Sequence, residues 1–173
     1  GDPGGPEELP MPVPEHLDYD LWLGSTPVKY YTEKRVHPQH DFSRPGWLRC
    51  EQFGAGMITG WGAHHLDTAH WAMGTEYTGP VEVEGQGSIP EEGLYDTIHT
   101  WEALHTYANG VKLRYIDHIS ARKQIPRFNV PNSMGILFEG NTGWVYVARG
   151  YIDAEPKSLL KTIIGPDEIQ LPR

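Results

Sequence analysis

The sequence predicts an α+β fold in which helices pack on one face of a large, mostly antiparallel open sheet. Two observations carry this prediction. The main amphipathic helix pattern lies in the first half of the chain, at residues 54–73. From Pro80 onward the hydrophobic pattern has a period of two and is interrupted by hairpin turns, which is typical of antiparallel strands. A helical region followed by a run of strands is the order expected of an α+β domain.

The N-terminal region is predicted to be mostly irregular. Residues 1–16 are rich in proline and glycine, which indicates an extended linker and places the domain itself at residues 17–173. A short helix is expected to begin after its cap, Asp18, and to end at Gly24. Residues 25–46 show no periodicity and predict a long loop.

The main helix and the strands follow. The helix is predicted from Gly54 to Met73 and closed by Gly74. Two hairpins are expected, with turns at residues 108–110 and 140–143. The predicted strands are residues 81–84, 97–107, 111–118, 134–139 and 144–149, and a short helix near 155–160 and a last strand at 161–164 complete the chain.

The charge and the cysteine content exclude several classes of function. A net charge of −9 argues against nucleic acid or an anionic membrane as the main partner, because both need clustered lysines and arginines. No run approaches the roughly twenty apolar residues of a membrane span. The single cysteine, Cys50, excludes an internal disulfide and a zinc site built from cysteines.

The helix of residues 54–73 concentrates titratable and aromatic side chains. Such groups cost free energy when they leave water, so this density indicates a functional site. The apolar stripe expected to pack on the sheet consists of Ile58, Gly62, Leu66, Ala69 and Met73. A second stripe, which we expect to carry the site, consists of Gly60, His64, Asp67 and Trp71.

Two glycines interrupt this helix. Glycine inside a helix costs about 1 kcal/mol relative to alanine, so either something approaches the backbone closely or the first turns are irregular. For Gly62 we expect close packing against the sheet, and for Gly60 a ligand beside His64. His65 is expected to be structural, and His70 to face solvent.

The sequence does not support a phosphate-binding loop or a zinc site on the helix. The glycines of residues 54–60 resemble a phosphate-binding loop, but the third glycine is one position late and no parallel strand precedes it. The helix also lacks the pair of histidines four residues apart, with a glutamate, that helix-borne zinc sites use. No metal ligand is therefore predicted.

Several motifs occur in a familiar order, and together they cover about residues 10–170. They are Asp18-Tyr-Asp-Leu-Trp-Leu-Gly24, Gly56-Met-Ile-Thr-Gly-Trp-Gly-Ala-His-His-Leu-Asp67, Gly79-Pro-Val-Glu-Val83, Tyr107-Ala-Asn-Gly110 and Phe138-Glu-Gly-Asn-Thr-Gly-Trp144. In these motifs the chain resembles the C-terminal domain of the Gfo/Idh/MocA family (glucose-fructose oxidoreductase, inositol dehydrogenase, rhizopine catabolism).

The resemblance implies a substrate-binding and oligomerisation domain of a NAD(P)-dependent oxidoreductase that acts on a sugar or cyclitol hydroxyl. His64 occupies the place of the histidine in the family's Asp-x-x-x-His motif and is expected to be a general acid/base, with Asp67 as the second catalytic residue. Trp61, His65 and Arg49 are expected to line the sugar pocket. The motif aspartate falls on glycine 60, which is a departure from the family.

The family's N-terminal Rossmann domain, which binds NAD or NADP, is absent from this sequence. We therefore expect no cofactor and no turnover in this chain alone, and interpret it as a piece of a longer protein. A bacterial cytoplasmic location is expected, or a periplasmic one if the full gene carries an export signal.

Two other functions stay open at this stage. A non-redox carbohydrate-binding or assembly module would use Trp47, Trp61, Trp71 and Trp101 as stacking surfaces, and a lyase or hydrolase would use a metal bound by histidine.

Self-association is a separate expectation. Strand faces bearing Tyr115, Tyr146, Trp144 and Trp101 exceed what one helix can cover, so a homodimer or tetramer through the sheet is predicted.

Overall fold

The computed structural model describes residues 4–37, 46–126 and 134–168 of the 173-residue chain. The chain divides into two compact units, Gly1–Lys123 and Gln124–Arg173. In the described part of the chain every helix is too short or too polar to cross a membrane.

The N-terminal segment lies against the first unit. The Tyr95 N–H donates to the Gly4 carbonyl at 2.7 Å, and the Met11 N–H donates to the Tyr31 carbonyl at 2.9 Å. Between these two hydrogen bonds, the Glu8 carboxylate pairs with the Lys34 ammonium at 3.0 Å. These contacts hold residues 4–16 against the rest of the first unit.

The first helix confirms its prediction. Helix α1 spans Tyr19–Leu23, the Asp18 side chain accepts from the Leu21 N–H at 3.0 Å, and Gly24 follows with a φ of +59°. The loop predicted over residues 25–46 is wrong in one place, because α2 spans Glu33–Val36 within it. Residues 38–45 of that loop lie outside the described residues.

The main helix is broken, which corrects its predicted extent of residues 54–73. Helix α3 spans Met57–Gly60, Trp61 forms the junction, and α4 spans Gly62–Met73. Gly74 ends α4, as predicted, and has the left-handed conformation. A 3-10 turn, Gly46–Arg49, precedes α3.

The strands of the first unit form one antiparallel sheet in the order β1–β2–β3. Strand β1 spans Glu82–Ser88, β2 spans Thr100–Thr106 and β3 spans Lys112–Ile116. Pairing of Ala103 with both Gly85 and Tyr115 fixes the register. Helix α5, His118–Gln124, follows β3 and was not predicted.

The second unit contains the antiparallel sheet β4–β5–β6. The predicted hairpin is confirmed, since β4 spans Gly135–Gly140 and β5 spans Gly143–Ala148. Strand β6, Tyr151–Glu155, was missed. A 3-10 turn at Lys157–Lys161 follows where a short helix was predicted, and residues 161–164 form no strand.

The α+β class holds, but the large open sheet is not confirmed. The described residues form two sheets of three strands each, one in each unit. An alternating sequence pattern predicts each strand, because it depends on neighbouring residues. Whether two hairpins join into one sheet depends on pairing between edge strands that are far apart in sequence.

Candidate functional site

Helix α4 presents two different faces, and both follow the predicted stripes. Gly62 and Ala69 are buried, and Leu66 and Met73 are half-buried. The opposite face is open to solvent, because Gly60, His64 and Asp67 are exposed while Trp71 is half-buried. The candidate site is therefore a helix face that opens outward.

The two glycines at the start of this helix have opposite surroundings. A Cβ at Gly62 would lie 3.0 Å from the Tyr115 hydroxyl oxygen and 3.4 Å from its Cζ, so the predicted packing against the sheet is confirmed. At Gly60 a Cβ would meet, among the described residues outside its own helix backbone, only the flexible end of Met57, its Cε atom, at 3.4 Å. The position beside His64 is thus an open notch in the helix surface.

Trp61, His64 and His65 are brought together at the junction of α3 and α4. The ring centroids of Trp61 and His65 lie 5.6 Å apart with an interplanar angle of 12°, which is a stacked arrangement. The Trp61 and His64 rings lie 5.7 Å apart and are tilted by 60°. The Trp61 ring thereby packs against both imidazoles and limits where the His64 ring can turn.

Asp67 and Arg49 take other positions. Asp67 lies on the exposed face of α4, one turn after His64, and forms no hydrogen bond or ion pair with any residue that the structure describes. The guanidinium carbon of Arg49 lies 3.8 Å from the centroid of the Tyr95 ring, a cation–π contact next to Cys50. The geometry therefore joins three of the five predicted site residues.

Comparison with known proteins decides the family. A family model described as "Oxidoreductase family, C-terminal alpha/beta domain", from the Gfo/Idh/MocA group, matches residues 4–143. The chain belongs to this oxidoreductase family. Searches among curated proteins and among solved structures found no match. The predicted resemblance is thus confirmed at the level of family and domain.

The glycine segment of this Gfo/Idh/MocA domain, residues 54–60, does not fit the phosphate-binding loop of a dinucleotide site. In the phosphate-binding fingerprint a glycine loop follows a strand directly. Here the glycines of residues 54–60 follow the 3-10 turn Gly46–Arg49, and Gly56 packs against the Thr97 side chain, with a Cβ position 2.7 Å from its Oγ1. The described residues also contain no group of three or more histidine, cysteine or acidic side chains that could hold a metal ion.

His70 is not solvent-facing, which corrects the prediction. Its ring is half-buried, with Nδ1 3.1 Å from the Thr75 carbonyl and Nε2 2.7 Å from the Tyr107 hydroxyl. Since a carbonyl can only accept, Nδ1 carries the proton and the Tyr107 hydroxyl donates to Nε2 when the ring is neutral. Nearby, burial lowers the pKa of His105, and the neighbouring His70 lowers it further. His70 thus joins the end of α4 to the residue that directly follows β2.

Sequence reasoning also missed the tyrosine that contacts the start of the helix. The Tyr115 hydroxyl on β3 donates to the Ile58 carbonyl at 2.6 Å, and its ring faces Gly62. The only signal in the sequence is that Tyr115 alternates with polar residues along a strand. That pattern predicts which face it occupies and not which carbonyl it binds.

The tryptophans proposed as stacking surfaces are all half-buried. The centroid of the Trp101 ring lies 5.7 Å from that of Tyr115, and its buried indole Nε1 has no hydrogen-bond partner among the residues that the structure describes. A depression of about 450 Å³ lies elsewhere in the unit, between the N-terminal segment and α2, lined by Glu7, Glu8, Leu9, Pro10, Tyr30, Arg35 and Leu94. It is not part of the α4 face.

Proposed function

We propose that this chain is the substrate-binding and oligomerisation domain of a NAD(P)-dependent oxidoreductase that acts on a hydroxyl group of a sugar or cyclitol. One observation carries the proposal: in a member of this family, the solvent-facing His64 lies next to the open notch at Gly60. The nicotinamide cofactor is expected on a separate N-terminal domain, because the glycines of residues 54–60 do not form a dinucleotide-binding loop.

In this proposal the His64 imidazole exchanges a proton with the reacting hydroxyl. A neutral imidazole accepts the proton during oxidation of the alcohol and returns it during reduction of the ketone. Positioned general acid–base groups of this kind contribute about 10²–10⁴ to the rate. The tilted contact with Trp61 supports this role, since a neighbouring ring reduces the number of orientations in which His64 can meet a substrate hydroxyl.

The neighbouring groups suit a neutral, hydroxylated substrate. The Asp67 carboxylate is exposed and forms no bond to a described residue, so it is free to accept a hydroxyl hydrogen bond one turn from His64. The notch at Gly60 admits a ring close to the backbone, where the family carries a carboxylate. Asp67 would then supply part of what the missing motif aspartate does in other members.

Turnover by the longer protein tests the proposal. We expect the gene to encode a Rossmann domain upstream, and the full protein to reduce NAD⁺ or NADP⁺ with a member of a panel of sugars and cyclitols. In that protein His64→Gln should lower kcat by about 10²–10⁴, the usual range for loss of a general acid–base group. Folding should be unchanged, because the side chain is exposed.

Ala72→Ser provides the matched control, since Ala72 is also exposed on α4 and belongs to no predicted site. Its activity should equal that of the unchanged enzyme. An upstream region without a Rossmann domain, or full activity in His64→Gln, would contradict the proposal.

A further inference from the structure

We propose that Tyr115 is the positioning residue of the candidate site. Its hydroxyl holds the break between α3 and α4 open, and so fixes Gly60, Trp61 and His64 in the arrangement that a substrate hydroxyl meets. The importance of this arrangement for catalysis rests on the function proposed above. The geometry itself can be tested without it.

The hydrogen bonds at the break carry the proposal. In a continuous α-helix the carbonyl of Ile58 accepts from the N–H four residues later, at Gly62. Here α3 ends at Gly60, α4 begins at Gly62, and the Ile58 carbonyl accepts from the Tyr115 hydroxyl at 2.6 Å. A side chain from β3 therefore takes the place of one helical donor.

The same tyrosine packs against the first residue of α4. Its hydroxyl oxygen lies 3.0 Å from the Cβ position of Gly62, so a side chain at this position would require the hydroxyl to shift. The centroid of the Trp101 ring on β2 lies 5.7 Å from that of the Tyr115 ring on β3, so the two rings pack beside each other. Burial raises the pKa of Tyr115 to about 12, so its hydroxyl stays protonated and continues to donate across the physiological pH range.

The break also determines what lies beside His64. The His64 N–H donates to the Trp61 carbonyl at 3.1 Å, whereas in a continuous helix it would donate to Gly60. The Gly60 carbonyl is thereby released from its helical donor at the edge of the open notch. The tilt of the Trp61 ring against His64 is set at the same junction.

Amide hydrogen exchange and NMR of the chain with Tyr115→Phe test this inference. Without the hydroxyl the Ile58 carbonyl loses its donor, and the Gly62 N–H is the closest replacement along the helix. We expect exchange at the Gly62 amide to slow about fivefold or more, which is the effect of one net hydrogen bond. We also expect the ring proton signals of His64 to shift, because the Trp61 ring moves with the junction.

Tyr107→Phe is the matched control. This variant also removes a tyrosine hydroxyl, but one that bonds to His70 at the other end of α4. It should lower stability but leave the Gly62 exchange rate and the His64 ring signals unchanged. If folded Tyr115→Phe leaves either the Gly62 exchange rate or the His64 ring signals unchanged, Tyr115 is only a packing residue and the inference is wrong.

A second variant covers the case in which Tyr115→Phe does not fold. Gly62→Ala places a methyl group against the Tyr115 hydroxyl and should displace it from the Ile58 carbonyl, so that the His64 ring signals shift. Unchanged His64 signals in folded Gly62→Ala would overturn the inference. These measurements are independent of the turnover assay, so failure of the inference and failure of the proposed function are distinguishable.

Discussion

At the scale of single residues, two glycines of one helical region serve different purposes. Gly62 is small because Tyr115 occupies the space where its side chain would be. Gly60 is open to solvent, and no packing contact of the described chain requires it to be glycine. Since packing does not explain why residue 60 is a glycine, its position next to His64 supports a functional explanation.

These environments predict opposite effects of alanine on stability. Gly60→Ala should raise the free energy of unfolding by up to about 1 kcal/mol, the usual difference in helix propensity. Gly62→Ala should lower it by about 1 kcal/mol or more, because overpacking against Tyr115 outweighs the gain in propensity. Urea denaturation at constant m-value measures both. Equal shifts of the same sign would show that the two positions do not differ as described.

At the scale of elements, a single buried carboxylate joins β2, β3 and α5. Asp117 follows β3 and accepts from the N–H groups of Ile119 at 2.9 Å, Ser120 at 3.0 Å and Trp101 at 3.2 Å. Burial by itself would raise its pKa, but hydrogen bonds from the Ser120 hydroxyl and from the three N–H groups outweigh burial. The pKa of Asp117 therefore lies below its ordinary value.

Replacement of this carboxylate should be costly and dependent on pH. Asp117→Ala removes a helix cap and leaves the N–H of Trp101 unpaired, so we expect a loss of about 2 kcal/mol near neutral pH. Because the folded pKa is lowered, the ionised carboxylate stabilises the fold fully above its unfolded pKa of about 3.9. This contribution is lost as the pH falls through the folded value.

The difference in unfolding free energy between the unchanged chain and Asp117→Ala should thus shrink when urea denaturation is repeated below about pH 4. Asp67→Ala is the control, because Asp67 is exposed, and its effect on stability should stay within about 0.5 kcal/mol. A difference for Asp117→Ala that is constant from pH 7 to pH 3 would contradict this account.

The elements also show how much could be predicted. Helix α1 was predicted because its cap, Asp18, and its stop, Gly24, lie within six residues of each other. The break between α3 and α4 depends on Tyr115, which bonds to Ile58 across 57 positions of sequence. Gly60 and Gly62 indicated that the main helix begins irregularly. Their positions in the sequence do not identify Tyr115 as the residue that bonds there. Likewise, His70 was misplaced because its partner, Tyr107, directly follows β2 and lies 37 positions away in sequence.

At the scale of the whole molecule, the homodimer or tetramer stays a prediction, but the surface on which it is based changes. Tyr146 is only 1 % exposed, and Tyr115 packs against Gly62, so these two aromatic side chains do not form an open face. Exposed apolar side chains instead occur along β1 and its flanks, where Val81, Val83 and Ile89 are more than half exposed. Because both faces of β1 are exposed, this edge of the first sheet is the candidate contact surface.

We predict that the chain is a dimer at tens of micromolar, with a mass of about 39 kDa by light scattering, twice the 19.5 kDa of one chain. Val83→Glu should weaken the dimer, because it places a charge on the apolar face of β1. Glu84→Gln, on the opposite face of the same strand, should have little effect. A monomer at this concentration would contradict the prediction, and a dimer unaffected by Val83→Glu would place the contact elsewhere.

The sequence by itself determined the features that depend on neighbouring residues: the caps of α1, the two hairpins, the two faces of the main helix and the family. Only the tertiary structure decided where that helix breaks, that His70 is turned inward, and that two sheets of three strands form in the described chain. The physical reason is the range of the interactions. Caps, turns and stripes are formed within a few residues, whereas the hydroxyl groups of Tyr115 and Tyr107 reach the helix only after the strands have paired.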